Sequence, residues 1–138
     1  MELLLLIGRI LFGVFFIMSG INHLTNAGMM SGYATSKNVP LAYPPVVGTG
    51  VILVLGGLSV LLGLFPVVGL VLIVVFLLPT SVLIHNFWTV QDPQARAAEQ
   101  VNFLKNFALT GAALALVYVA ADWPMTLGYG PEDRTVPV

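Results

Sequence analysis

The chain reads as an all-α, polytopic membrane protein, a four-transmembrane-helix antiparallel bundle, on three observations. Hydrophobic residues make up 58% of its 138 residues and charged residues only 8%, against the roughly one quarter charged that a soluble domain carries. Four apolar runs, 3–21, 46–64, 67–84 and 101–121, stand out, and about 19 residues of helix rise about 28 Å, close to the hydrocarbon thickness of a bilayer. Unpaired backbone amides and carbonyls are costly in hydrocarbon, so runs of this length are helices, and the alternation of a β-barrel is absent.

The first run resembles a secretory signal in position but not in detail. Glu2 stands where a basic cluster would, Arg9 interrupts the apolar stretch, and Ser19, Gly20, Ile21 and Asn22 lead into polar chain without a small-x-small cleavage pattern. It is expected to remain as a membrane helix. The linker that follows ends in Asn38-Val39-Pro40-Leu41-Ala42-Tyr43-Pro44-Pro45, which cannot continue a helix. Phe65-Pro66 is a tight corner that makes the second and third spans antiparallel neighbours. Pro79 lies inside the third span and removes a backbone bond, which predicts a kink. Before the fourth span, Asp92-Pro93-Gln94-Ala95-Arg96 reads as Asp capping a short surface helix with Pro at its first position. Residues 1–123 form a single transmembrane domain in this reading, and 124–138 a polar C-terminal tail.

An even number of spans puts both termini on one side and the two longer loops on the other. Lys37 and Arg96 on the loop face against Arg9 and Arg134 on the terminal face are too evenly shared to orient the protein by the positive-inside rule. A net charge of −1 gives no electrostatic drive toward nucleic acid. With no cysteine, disulfides, thiolate nucleophiles and cysteine-bound iron–sulfur clusters are excluded. Nor is there a G-x-S-x-G, a P-loop or a dinucleotide fingerprint in a strand-to-helix setting, so no autonomous catalytic motif is present and any enzymatic role stays open.

Helices in lipid associate through small residues and a few hydrogen bonds. Gly13 and Gly20, Gly50 and Gly57, and Gly56 and Gly63 are each seven apart, about 700° of rotation, so each pair shares a face and reads as a packing seam. A surplus of such seams would also serve a homo-oligomer.

Polar side chains inside spans are costly and usually face the bundle interior. Alternating helix directions bring Asn22 and His23 (first span), His85 and Asn86 (third) and Asn102, Lys105 and Asn106 (fourth) to the loop face. Arg9, Phe16 and His23 share the glycine-bearing side of the first span; Arg9 lies about 21 Å along the axis from His23, within reach of Glu2 or Asp122. The candidate ligand-binding set is Arg9, Asn22, His23, His85, Asn86, Trp88, Lys105 and Asn106. Each residue also has a structural reading: His23, His85 and Trp88 as interfacial anchors, Lys105 as a snorkelling cation. Too few strong ligands are available for a metal site.

Several of these segments resemble the DoxX family of small four-helix bacterial membrane proteins. They are Gly8-Arg9-Ile10-Leu11-Phe12-Gly13, Ser19-Gly20-Ile21-Asn22-His23-Leu24, Lys37-Asn38-Val39-Pro40, Gly56-Gly57-Leu58, His85-Asn86-Phe87-Trp88 and Phe103-Leu104-Lys105-Asn106. His23 stands where a lysine is usual, and Leu53 where many relatives carry an acid. The resemblance covers about 8–121. It implies a multi-pass protein of the cell (inner) membrane that is a subunit linked to an oxidoreductase system, in some members a thiosulfate-to-quinone path.

Four readings follow. The loop-face cluster binds a quinone-like or other polar-headed lipid ligand, with His23, His85 and Lys105 hydrogen-bonding its carbonyl oxygens. Alternatively the chain is a non-catalytic membrane anchor or assembly partner for another protein. The third, a b-type haem held by His23 and His85, is weakened because two histidines meet by chance in so small a chain; a transporter has similar weight.

Overall fold

The computed structural model describes residues 1–120 and Trp123. Five α-helices follow in order: α1 (Glu2–Thr25), α2 (Ala27–Ser36), α3 (Tyr43–Leu62), α4 (Pro66–Leu83) and α5 (Pro93–Val119), with a 3₁₀ turn at Phe87–Thr89 between the last two. α1, α3, α4 and α5 are long and apolar enough to cross a membrane.

The first linker is largely helical before the break at 37–42. α1 runs on past His23 to Thr25, bends at Asn26 and continues as α2. The bend keeps its hydrogen bonds: the Asn26 amide donates to the Asn22 carbonyl at 3.0 Å and the Met30 amide to the Asn26 carbonyl at 3.0 Å. Pro44 and Pro45 begin α3 instead of closing a loop, since the first turn of a helix has no use for their missing N–H groups.

The α3–α4 corner is as tight as Phe65-Pro66 implies. Gly63 ends α3 at φ 71, a left-handed conformation that glycine adopts without steric cost, and the Leu64 amide returns to the Ser59 carbonyl at 3.0 Å. Gly63 is therefore a cap, not a seam partner of Gly56. Asp92 caps α5, accepting the Ala95 amide at 2.8 Å, but the helix it opens is no short surface element. It is one helix of 27 residues, about 40 Å long, so its first turns extend past the hydrocarbon and carry Glu99 at the edge of the bundle.

α1 packs on α3, α3 on α4 and α4 on α5, while α1 and α5 hold their backbones apart. The α1–α3 seam is glycine to glycine. A Cβ on Gly20 would lie 2.6 Å from the Gly50 carbonyl oxygen, and one on Gly57 2.8 Å from the Gly13 oxygen. Gly56 and Gly69 make the equivalent close approach between α3 and α4. Phe12, Phe16, Leu53, Val60, Leu70, Ile73, Leu77 and Ala113 fill the interior. Leu11, Leu55, Val71 and Leu114 point outward, where hydrocarbon is the matching solvent.

Candidate functional site

The loop end of the space enclosed by α1, α4 and α5 is a cavity of about 760 Å³, within the roughly 300–1,000 Å³ typical of small-molecule sites. Phe15 and Phe16 of α1, Val75, Phe76 and Leu83 of α4 and Val46 of α3 make its walls apolar, and α2 covers it with Met30, Tyr33 and Ala34. Polar groups converge there from separate helices: Asn22 and His23, Thr49, His85, and Glu99, Asn102, Lys105 and Asn106.

Each imidazole is held through Nδ1. His23 Nδ1 lies 3.1 Å from Thr49 Oγ1, and the Thr49 hydroxyl donates its own hydrogen to the Val46 carbonyl at 2.9 Å. The ring of His23 meets Phe76 edge-on at 5.5 Å. His85, in the turn just past α4, places Nδ1 2.7 Å from Glu99 Oε2, an ion pair whenever the imidazole is protonated. The other carboxylate oxygen of Glu99 accepts from the Tyr33 hydroxyl. Burial first, then the hydrogen bond and charge of Glu99, push the Tyr33 phenol up to about 12.

Lys37, at the end of α2, donates to Asn86 Oδ1 at 3.0 Å and lies 5.7 Å from the centre of the Tyr33 ring. Tyr33 and Lys37 thus fasten α2 to α5 and to the turn after α4. Lys105 donates to Asn102 at 3.1 Å, leaving two further N–H groups. Asn106 is 5% exposed, lines the cavity, and its carboxamide makes no hydrogen bond among the described residues.

Of the eight residues singled out from sequence, Asn22, His23, His85, Lys105 and Asn106 line the cavity. Asn86 stands behind it as the acceptor of Lys37. Trp88 lies outside, half exposed, in an aromatic cluster with Phe87 and Phe103. Arg9 is at the other end of the bundle, 2% exposed, its guanidinium 5.4 Å from the Trp123 ring centre. It is not among the residues that line the cavity, in keeping with the depth its spacing from His23 implies. Asp122 and the 124–138 tail lie outside the described residues.

Sequence reasoning missed Glu99 and Tyr33. Glu99 was legible, since it precedes Asn102 by three and Asn106 by seven on one helix face; starting the fourth helix at 101 hid it. Tyr33 carried no such signal, because nothing in α2 marks which face it turns inward.

The DoxX family model matches residues 4–86. The match covers α1 through His85 and Asn86 and stops before α5, so the 103–106 stretch that strengthened the resemblance lies outside it. No curated protein and no solved structure matches the chain.

Proposed function

This chain belongs to the DoxX family, and we propose that it is a membrane subunit that binds a lipid-soluble, ring-headed ligand of the quinone type in the cavity beneath α2. The observation that carries this reading is the uneven lining of the cavity: apolar walls from three helices, with His23, His85, Lys105 and the unbonded Asn106 carboxamide gathered at the covered end. An amphiphile with a flat polar head and an isoprenoid tail fits such a lining. The head offers partners to polar groups of the lining that have hydrogen-bonding capacity to spare, and the separated backbones of α1 and α5 leave room for the tail to reach lipid.

In this proposal residues 1–123 act as one domain in the cell (inner) membrane, with both ends on one side and the α2 face on the other. The proximity of Arg9 near the start of α1 to Trp123 after α5 supports that arrangement. Association with an oxidoreductase rests on the family resemblance; the geometry supports the ligand.

The test uses the full chain in lipid nanodiscs, titrated with decylubiquinone and, separately, with decylubiquinol while tryptophan fluorescence is followed. Micromolar binding of either form, weakened about tenfold when Asn106→Leu removes a hydrogen-bonding side chain from the lining, is the expected result. No binding of either form in the parent protein would overturn the reading.

A further inference from the structure

We infer that the cavity selects the hydroxyl-bearing form of its ring-headed ligand, a quinol or related phenol, over the carbonyl form, because both imidazoles present a lone pair to it. This deepens the ligand reading above and rests on it.

A neutral imidazole carries one N–H, and the partner of one ring nitrogen decides the state of the other. The hydroxyl of Thr49 spends its hydrogen on the Val46 carbonyl, so toward His23 it can only accept, and the hydrogen between them belongs to His23 Nδ1. Glu99 is a carboxylate already accepting from Tyr33, so it too can only accept, and His85 Nδ1 is the donor. Both rings are therefore Nδ1–H tautomers when neutral, the Val46 carbonyl being a second acceptor within reach of the His23 N–H, and Nε2 of each is left as an acceptor.

The expectation that His23 and His85 donate to carbonyl oxygens is thereby reversed. A quinone carbonyl brought to either Nε2 sets lone pair against lone pair. A hydroxyl donates there, and its oxygen still accepts from the spare N–H groups of Lys105 or from the Asn106 carboxamide. Glu99 acts as a positioning residue: it touches no ligand in this arrangement, yet it holds the proton of His85 on the far side of the ring.

The experiment compares decylubiquinol, decylubiquinone and the dimethyl ether of the quinol, anaerobically, on the full chain in nanodiscs at neutral to mildly alkaline pH. Quinol is expected to bind about tenfold more tightly than quinone, the effect of one or two hydrogen bonds gained against acceptors otherwise left unpaired, and the ether no better than quinone. Glu99→Gln can donate to His85 Nδ1 and release the proton to Nε2, so the quinol-to-quinone ratio is expected to fall, while staying above one because His23 is unchanged. Imidazole ¹⁵N shifts of the parent protein report the tautomers directly, whether or not that variant folds, and are expected to show Nδ1–H in both rings. Nε2–H in both rings, or quinone bound as tightly as quinol, would overturn the inference and leave the ligand reading intact; binding of none of the three ends both.

Discussion

α1 takes part in two interfaces of opposite character. Along α3 it is dry and glycine-lined, with backbones so close that a single added Cβ meets a carbonyl oxygen. Toward α5 its backbone stands off, and the loop end of that gap holds a cavity bordered by hydrogen bonds among α2, the turn after α4 and α5. In lipid, where apolar burial does not drive helices together, close van der Waals contact is what the seam supplies. The cavity has no such contact and depends on a few directional bonds. The seam sets where the helices stand, and the polar network sets what the space between them can hold. Gly13, Gly20, Gly50, Gly56 and Gly57 pack within the chain, whereas Gly8 and Gly111 have open space at their Cβ positions.

The largest effect is expected at the seam. Gly20→Leu places side-chain carbons where the Gly50 carbonyl and Val54 already stand, a cost of more than about 3 kcal/mol, at the upper end of overpacking, and the folded species is expected to disappear from gel filtration. Gly111→Leu is the control: no atom lies within 4 Å of its Cβ position, and thermal unfolding is expected to move by less than about 0.5 kcal/mol. Equal damage at both positions would erase the distinction between the two regions.

A smaller and more local effect is expected on the cavity side. Glu99→Ala strips Tyr33 and His85 of their acceptor, at about 1–3 kcal/mol for polar groups left unpaired. Hydrogen exchange is expected to quicken across α2 while amides of the α1–α3 seam keep their protection. Exchange that rises evenly through all five helices would show that the two regions open as one unit.

The smallest effect is in the titration of Tyr33. Its phenol is raised in the folded protein from an ordinary value near 10 to about 12, so its contribution to stability is complete below pH about 10 and is lost as pH rises through about 12. Ultraviolet absorbance of phenolate is expected to show one tyrosine ionising late, and Tyr33→Phe to remove that step. A Tyr33 that ionises near pH 10 would mean that its bond to Glu99 does not persist in lipid.

Much of this was legible beforehand, for identifiable reasons. The spans at 46–64 and 67–84 fall within about three residues of α3 and α4, because apolar content over a 20-residue window is a property of the segment alone. The joint placement of His23, His85, Lys105 and Asn106 followed from crossing direction. Tyr33 and Trp88 show the limit. Both are aromatic and near an interface, yet one is fastened over the cavity and the other stacks outside it, a difference decided by helix rotation and by the bend at Asn26.

Composition and order of residues were enough to determine that the chain crosses the membrane four times and which polar side chains reach which end, since transfer to hydrocarbon and helix rise depend only on local chemistry. The tertiary structure alone decided that α2 lies over the gap and that Glu99 joins Tyr33 to His85. Those outcomes depend on hydrogen bonds between residues as far apart in the chain as Tyr33 and Glu99. Such bonds form only where distance and angle are both satisfied, and no window of sequence contains both partners.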